Sequence, residues 1–400
     1  MRKEGWEYKK LGDISIDWYR GSGIKRDQIT QSGMPCIRYG EIYTTYNIGF
    51  HNCVSHTNES LIISPKYIEK GDILFAITGE SVEDIGKCVA YLGTEKCLVG
   101  GDVAVMKHNQ NPKYLGYALS SPWAIKQKGL GKTKLKVVHT NIPSLKEIAV
   151  PVPPLKEQEE IVAYLDGEFE RIEKLKRNAE AALQHTKDLF QSTLKQLLTP
   201  KPNWEEKKLG RITTKIGSGA TPKGGKKIYI EKGCSLIRSM NVLYGEFKYD
   251  ELAHIDDNAA GQLKGVAIEE NDVLLNITGA SIARCCVVPK DVIPARVNQH
   301  VSIIRLTNVV LPHFLAYQLI NPYNQKTLLT IGESGSTRQA LTKTDIENFT
   351  VSIPPLAEQQ AIVSRLDTLS EHCRKLEQNY RDTLTLCDDL KQALLREVFE

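Results

Sequence analysis

The sequence predicts an α+β protein in which two homologous globular domains are joined by two long antiparallel coiled-coil helices, with pseudo-two-fold symmetry between the halves. The chain has 400 residues, which is more than one hydrophobic core usually organises. Its second half repeats its first half. Each half also ends in a 45-residue stretch without proline, which is long enough for one extended helix.

The repeat is colinear, with an offset of 198 to 201 residues. Three pairs of matching segments define it: 6–12 with 204–210, 71–81 with 271–281, and 150–158 with 351–359. The second pair shares the pattern Asp-x-Leu-x-x-Ile-Thr-Gly-x-Ser. Because each half is too long for a solenoid repeat, we interpret the chain as two homologous modules in tandem.

Within each half, Gly and Pro separate short apolar runs of strand length. Examples are 73–77, 103–106, 273–277 and 301–306. This texture is typical of a mixed α+β domain and changes at the Pro-Pro-Leu that closes each half. We therefore expect four segments: globular domains at 1–154 and 201–355, a central helix at 155–200, and a C-terminal helix at 356–400.

The two helical segments carry apolar or small residues at steps that mostly alternate between 3 and 4, as in coiled coils. The C-terminal segment has them at Ile362, Leu366, Leu369, Cys373, Leu376, Tyr380, Leu384, Cys387, Leu390, Leu394 and Val398. The central segment is less regular, with Glu168 and Thr186 at seam positions. Its apolar or small residues are Ile161, Leu165, Ile172, Leu175, Ala179, Ala182, Phe190, Leu194 and Leu197. If the helices pair, the connectivity requires them to be antiparallel. The alternative is that each amphipathic helix lies on its own domain.

Charge is unevenly distributed along the chain. The two helical segments together carry a net charge of −5 while the whole chain carries +4, which leaves about +9 on the globular domains. The segment 201–230 is the most basic, with eight Lys and Arg against two Glu. Two basic modules connected by acidic helices are typical of a protein that contacts a polyanion such as DNA at two places.

No catalytic signature is complete in this sequence. Gly131-Lys132-Thr133 resembles the end of a phosphate-binding loop, but the Gly required five positions earlier is Lys126. Asn321-Pro322-Tyr323 lacks the second Pro of the Asn-Pro-Pro-Tyr loop of amino-methyltransferases. The nine His and nine Cys show no metal-ligand spacing. We therefore expect a non-catalytic chain with no cofactor or metal, with reduced thiols and no membrane segment, located in the cytoplasm.

The repeated motifs closely resemble those of the DNA-specificity subunit of type I restriction-modification systems. The most specific is Pro-Pro-Leu-x-Glu-Gln-x-x-Ile-Val-x-x-Leu-Asp, present at 153–166 and again at 354–367. The resemblance covers essentially all 400 residues. It implies that the globular domains are two target-recognition domains, each reading one half of a bipartite sequence in double-stranded DNA.

The resemblance also implies partners. The helices of this family bind two methyltransferase subunits and fix the spacing between the half-sites, and S-adenosylmethionine is expected on those partner subunits. ATP-dependent restriction subunits are a further partner that the family allows.

We expect the DNA-contacting residues in basic clusters and in loops that follow strands. The basic candidates for phosphate contacts are Arg20, Lys25, Arg26, Lys132, Lys134, Lys226 and Lys227. The loop candidates for base contacts are Thr78, Ser81, Thr278 and Ser281. Arg38 and Arg238 are shared by the modules and suit the scaffold or phosphates, whereas the unshared Tyr39, Asn241, Arg284 and Arg338 suit two different half-sites.

Two other classes of function compete with this interpretation. A self-contained methyltransferase would bind S-adenosylmethionine as the isolated chain and would need a nucleoside-binding loop that the sequence lacks. A coiled-coil adaptor without a DNA role would account for the helices but not for the two basic modules.

Overall fold

The structure is a computed structural model that describes residues 6–82, 84–130, 137–333 and 339–400. The chain forms two compact units. Unit 1 comprises Met1–Glu180 with Arg381–Glu400, and unit 2 comprises Ala181–Tyr380. Each unit therefore contains one globular part, called module 1 or module 2 below, and about half of each of two long helices.

Module 1 is a mixed α+β domain. Its elements are β1 (Tyr8–Lys10), α1 (Leu11–Ile14), β2 (Ser15–Arg20), β3 (Ile29–Thr30), β4 (Met34–Ile37), α2 (Tyr39–Thr44), β5 (Gly49–Phe50), β6 (Ser55–Thr57), β7 (Tyr67–Ile68), β8 (Ile73–Ala76), β9 (Thr78–Gly79), β10 (Cys88–Tyr91), β11 (Cys97–Val99), β12 (Val103–His108), α3 (Pro112–Leu119), α4 (Pro122–Gly129), β13 (Val138–His139), α5 (Ile142–Lys146) and β14 (Ala149–Pro151). The first long helix, α6, then runs over Leu155–Leu197.

Module 2 repeats this order with fewer strands. Its elements are β15 (Glu205–Lys208), β16 (Thr213–Ser218), β17 (Cys234–Ile237), β18 (Ala253–Ile255), α7 (Asp257–Gln262), β19 (Val273–Asn276), β20 (Cys285–Val287), β21 (Ala295–Val297), β22 (Val301–Leu306), α8 (Pro312–Ile320), α9 (Pro322–Glu333), α10 (Lys343–Asn348) and β23 (Thr350–Ile353). The second long helix, α11, covers Leu356–Phe399.

The main sheets of the two modules share the order of four strands. The order is β2-β12-β8-β10 in module 1, where β5 follows as a fifth strand, and β16-β22-β19-β20 in module 2. A second sheet accompanies each, with the order β3-β6-β4-β11-β7 in module 1 and β18-β17-β21 in module 2. The register agrees too: Ala104 lies between Arg20 and Phe75, as Ser302 lies between Ser218 and Leu275. This register assigns equivalent residues in the two modules and confirms the predicted fold class.

The long helices complete the module cores. In unit 1, Leu165 from α6 and Phe399 from α11 join the core formed by the main sheet and α3. In unit 2, Leu194 from α6 and Leu366 from α11 join the equivalent core. Each module therefore buries apolar surface of both helices, so the helices are integral to the modules.

The repeated junction motif fixes the start of each long helix to its module. Gln158 is fully buried, and its Oε1 accepts the Asn111 N–H at 2.9 Å while its Nε2 donates to Pro153 O at 2.8 Å. Gln359 repeats both contacts, with Leu311 N–H and Pro354 O. The motif's Asp residues act about two turns further on, because Tyr117 donates to Asp166 at 2.7 Å and Tyr317 donates to Asp367 at 2.6 Å.

The helices pair antiparallel within each unit. In unit 1, Lys176 of α6 contacts Asp388 of α11 at 2.8 Å, and Glu173 pairs with Lys391. In unit 2, Cys373 lies against Thr186. One set of buried positions follows a seven-residue repeat. It comprises Gln158, Leu165, Ile172, Ala179 and Thr186 on α6, and Gln359, Leu366, Cys373 and Cys387 on α11, where the intervening Tyr380 is only partly buried.

The predicted two-position seam is therefore only partly correct. Leu175, Leu376 and Leu390 were expected at seam positions, yet they are 54%, 41% and 46% exposed. One heptad position on each helix closes the antiparallel pair, whereas these three leucines of the second position face outward. The outward residues give the helix pair an apolar surface.

One turn shows how different residues satisfy the same backbone. Asp72 and Asp272 accept the N–H groups of Glu69 and Glu269 and so close the turn before β8 and β19. The preceding residue has a positive φ of 102° at Gly71 and 71° at Asn271. Gly and Asn are the residues that adopt this region most readily, so the Gly-to-Asn difference between the repeats preserves the turn.

The carbonyl near the end of α3 or α8 is satisfied in two ways. In module 1 the buried Lys128 donates to Leu119 O at 2.7 Å, and burial lowers the pKa of its ammonium group. In module 2 the equivalent residue is Leu328, and Gln325 donates to Leu319 O at 3.2 Å instead. The modules thus share a backbone but not every side chain that supports it.

All nine cysteines are free thiols. Among the helices within the described residues, none is long and apolar enough to cross a membrane.

Candidate nucleic-acid interface

The candidate interface is one edge of the main sheet in each module. Strands β2 and β8 both run antiparallel to β12, so both end where β12 begins. In module 2, β16 and β19 end where β22 begins. We call this the strand-end edge. It lies at the opposite end of these strands from the junction of Gln158 or Gln359, because β12 and β22 lead away from the edge towards that junction.

In module 1 the strand-end edge carries Arg20, Thr78, Asp102 and His139. Arg20 Nε and Nη2 both donate to Gly101 O, at 3.2 and 3.0 Å. Asp102 Oδ1 accepts from Thr78 Oγ1 at 3.3 Å and lies 3.8 Å from Arg20 Nη2. His139 Nδ1 lies 3.2 Å from Thr78 Oγ1. The predicted residues Arg20 and Thr78 are therefore brought together around Asp102.

In module 2 the same edge carries Thr221, Thr278, Gln299 and His300. Thr278 Oγ1 lies 2.6 Å from His300 Nδ1, and His300 Nε2 lies 3.0 Å from Gln299 Nε2. Gln299 Oε1 in turn accepts a hydrogen bond from Thr221. The result is a continuous chain of four hydrogen-bonded side chains across the edge.

The two edges have the same backbone. Ile77 N–H bonds Asp102 O and Ile277 N–H bonds His300 O, each at 3.0 Å. Gly101 and Asp102 are therefore equivalent to Gln299 and His300. One scaffold presents different polar side chains at matching positions, which suits the recognition of two different sequences.

Basic loops begin at this edge. The loop after Arg20 contains the exposed Lys25 and Arg26, and the loop after Ser218 contains the exposed Lys226 and Lys227. Four predicted phosphate-binding residues therefore lie on segments that leave the strand-end edge. Cations next to exposed polar groups are the combination that DNA recognition needs, since phosphate contacts position a protein and base contacts specify the sequence.

Arg38 and Arg238 lie beside the edge but are held by their own modules. The strands that precede them reach it, because Ile37 O accepts from Gly100 and Ile237 O from Asn298. Arg38 Nε lies 3.4 Å from the buried Glu41, which also accepts a hydrogen bond from Ser55. Arg238 donates to Glu251 O and packs on Tyr229.

The remaining predicted residues serve the scaffold or lie apart from the cluster. Asn241 is fully buried and donates to Lys248 O at 2.9 Å, so it presents no group to a ligand. Ser81 bonds Asp84 within its own loop. Ser281 and Arg284 are partly buried in the loop that follows Thr278, and Tyr39 is exposed. Lys132, Lys134 and Arg338 lie outside the described residues.

Sequence reasoning missed Asp102, His139, Thr221, Gln299 and His300. A signal for three of them, Asp102, Gln299 and His300, was present, since Val99-Gly-Gly-Asp-Val103 aligns with Val297-Asn-Gln-His-Val301. The three residues between the matching valines differ completely. This pattern is expected of an exposed turn that contacts a different target in each module. Over the described residues, no group of three or more His, Cys, Asp or Glu is arranged to hold a metal ion.

Comparison with known proteins agrees with the duplicated fold. The chain matches the type I restriction modification DNA specificity domain twice, over residues 3–183 and 201–386. It is 25% identical to the EcoBI specificity subunit of Escherichia coli over 326 residues, covering 74% of this chain and 67% of that one. It is 22% identical to the EcoKI specificity subunit of Escherichia coli K12, covering 99% and 89%.

Solved structures share the fold. A chain from work on the complex assembly and conformational transition of the type I restriction-modification system matches with a TM-score of 0.76 at 20% identity, covering 98% of this chain and 97% of that one. The HsdS subunit of Thermoanaerobacter tengcongensis matches with a TM-score of 0.58 at 19% identity, covering 99% and 97%.

The two family matches, one in each half of the chain, define a tandem DNA-recognition protein. The chain belongs to the family of type I restriction-modification DNA-specificity subunits, because the family match covers both halves. Its role is therefore DNA target recognition within a restriction-modification enzyme, and it is not a catalytic subunit.

Proposed function

We propose that each module reads one half of a bipartite sequence in double-stranded DNA, and that the long helices set the spacer and dock two methyltransferase subunits. The observation that carries the proposal is the strand-end edge. It has one backbone and two sets of polar side chains, Thr78 with Asp102 in module 1 and Thr278 with His300 in module 2. Two modules with the same backbone but different polar side chains suit a target made of two unlike half-sites.

The docking role is supported by the surface of the helices. Leu175 and Leu390 in unit 1 are about half exposed, and Leu376 in unit 2 is 41% exposed. Leucine side chains on a helix that are left unburied by its own partner are typical of a surface that another helix covers. On this proposal the methyltransferase subunits carry S-adenosylmethionine, ATP-dependent restriction subunits join the complex, and the assembly works on cytoplasmic DNA.

Exchange of one module tests the proposal. Residues 1–150 are replaced by the equivalent module of a relative with a different target, and the complex is expressed with its methyltransferase partner. We expect one half of the methylated motif to change and the other half to stay, because each module has its own core and its own edge. Sequencing of the methylated motifs in the host genome measures both halves at once.

The reciprocal exchange of residues 201–351 is the matched control and should change only the other half. A motif in which both halves change with either exchange would contradict independent reading by the modules.

A further inference from the structure

We infer that Arg20 of module 1 and Gln299 of module 2 determine which base each module prefers, with Arg20 reading guanine and Gln299 reading adenine. This inference rests on the proposed function and assigns specificity-determining side chains to it. Its basis is that the two modules carry their long polar side chain at different positions of the strand-end edge.

Two pairs of equivalent positions differ between the modules in side-chain length. The register makes Arg20 equivalent to Ser218, and Gly101 equivalent to Gln299. Module 1 has a long side chain at the first position and none at the second, and the guanidinium lies against the Gly101 carbonyl. Module 2 has a short side chain at the first position and the long one at the second. Each module thus presents one extended polar side chain from this corner of the edge.

The guanidinium of Arg20 is fixed on one side by its own module, and its other N–H groups are available to a ligand. Nε and Nη2 form a side-on pair of hydrogen bonds to Gly101 O, and Asp102 lies 3.8 Å from Nη2 and restrains the group electrostatically. The N–H groups on the Nη1 side donate to no acceptor among the described residues, and the Arg20 side chain is 59% exposed. One N–H of Nη1 and the outer N–H of Nη2 are parallel donors, and such a pair matches the O6 and N7 acceptors of guanine in the major groove.

The carboxamide of Gln299 is held in a complementary way. Thr221 donates to Oε1, and Nε2 donates to His300 Nε2 at 3.0 Å. The proton on His300 is then on Nδ1 and donates to Thr278 Oγ1 at 2.6 Å, which fixes the ring. A carboxamide has two donors and two acceptor positions, so one of each remains. That remaining pair matches N7 and the N6 amino group of adenine.

Both side chains are therefore oriented before DNA binds, which reduces the entropy lost on binding. The neighbouring basic residues Lys25, Arg26, Lys226 and Lys227 lie on loops that leave the same edge and can position the duplex by its phosphates. A change at Arg20 or Gln299 should then alter sequence choice rather than general affinity.

Single substitutions test this in the complex of the full chain with its methyltransferase partner. With Gln299→Ala we expect one adenine position in one half-site to become degenerate, and with Arg20→Ala one guanine position in the other half-site. A bidentate contact accounts for about 5- to 150-fold discrimination against the wrong base pair. Methylated-motif sequencing identifies the position, and binding to duplexes substituted at that position measures the loss.

Conservative variants protect the test against loss of folding. Gln299→Glu keeps the shape but replaces the donor by an acceptor, so the preference should move from adenine towards cytosine, whose N4 amino group donates. Lys70→Ala and Gln262→Ala, at exposed positions of modules 1 and 2, should leave the motif unchanged.

The outcomes distinguish failure of the proposed function from failure of the base assignment to Arg20 and Gln299. A wild-type complex that methylates no bipartite motif would refute the proposed function itself. A bipartite wild-type motif that stays unchanged in the variants, or that relaxes at both variants within the same half-site, would overturn only the assignment. A uniform loss of affinity for all sequences would also overturn it, because that result marks a phosphate contact.

Discussion

At the scale of single residues, the repeated motifs are explained by hydrogen bonds that close the backbone. Gln158 and Gln359 each satisfy the N–H group of the residue before α3 or α8 and a carbonyl of the proline pair at the junction. Unpaired buried backbone groups are costly, so this position requires a carboxamide rather than an apolar residue. The repeated sequence motif thus corresponds to one buried set of hydrogen bonds that fixes each long helix to its module.

We therefore expect Gln158→Leu to destabilise unit 1 by about 2 kcal/mol, because Asn111 N–H and Pro153 O lose their partner within a buried site. Gln359→Leu should have the same effect on unit 2. Gln196→Leu, at an exposed position of α6, is the control and should change little. Denaturant unfolding of the purified chain measures the difference. Equal midpoints for Gln158→Leu and the control would contradict a stabilising role of the Gln158 hydrogen bonds.

The stability of unit 1 should fall in acid because of His108. Burial lowers the pKa of this imidazole from 6.5 to about 4, and Gln110 N–H donates to its Nδ1 at 3.1 Å. The unfolded chain takes up the proton first as the pH falls below 6.5, so stability is lost between pH 6.5 and 4, by up to about 3 kcal/mol. Thermal unfolding across this range measures the loss.

The variant His108→Leu should remove this part of the acid dependence, since module 2 has Leu306 at the equivalent position. An acid profile that is the same in the variant and the parent would assign the loss to other groups.

At the scale of elements, the long helices were predicted in position and orientation but not in packing. The absence of proline, the 3–4 spacing and the connectivity were sufficient for two antiparallel helices. They did not show that Leu175, Leu376 and Leu390 face outward, because an apolar residue at a heptad position has the same spacing whether its partner is within the chain or outside it. Thr186, an apparent interruption of the seam, is buried and bonds its own helix at Ala182 O.

The helices also predict a change of target spacing. Each passes from one unit to the other at a matched place, between Glu180 and Ala181 on α6 and between Tyr380 and Arg381 on α11. Four helix-compatible residues that keep the seam, inserted at both places, add ~6 Å and ~400°, a net turn of ~40°. One base pair advances ~3.4 Å and turns ~35°. We expect the same two half-sites with a spacer one base pair longer, because a reader rotated out of the groove loses its base contacts.

Methylated-motif sequencing of the insertion variant gives the spacer directly. A spacer longer by two pairs would mean that translation governs the fit, and an unchanged spacer in a folded, active complex would show that the helices do not set the distance.

At the scale of the whole molecule, the duplication was predictable and the recognition surface largely was not. Colinear matches from Trp6 to Gln359 fix two modules of one fold. The strand-end edge, however, unites residues far apart in sequence, such as Arg20, Thr78 and His139. Only strand pairing brings them together, and single-sequence comparison cannot detect that. Asn241 shows the converse, because a residue that differs between the repeats is buried in the scaffold.

The duplication also predicts stoichiometry. Both units expose apolar helix surface, so the chain should bind two methyltransferase subunits rather than one. Mass measurement of the purified complex at saturation decides this. Substituting Leu175 and Leu390 by Glu should remove one of the two subunits, whereas Glu at the exposed Lys174 should not. A saturated complex with a single methyltransferase subunit would contradict two equivalent sites.

The two ways of satisfying the carbonyl near the end of α3 or α8 have a consequence for inheritance. A recombination event that joins module 1 to module 2 between the equivalents of Ile125 and Lys128 would produce a chain with Ile125 and Leu328, and so with no donor for that carbonyl. Crossovers at the proline pairs break no such contact, since the buried glutamine is present in both halves. New target sequences should therefore arise by transfer of whole modules, with breakpoints concentrated at the start of the long helices.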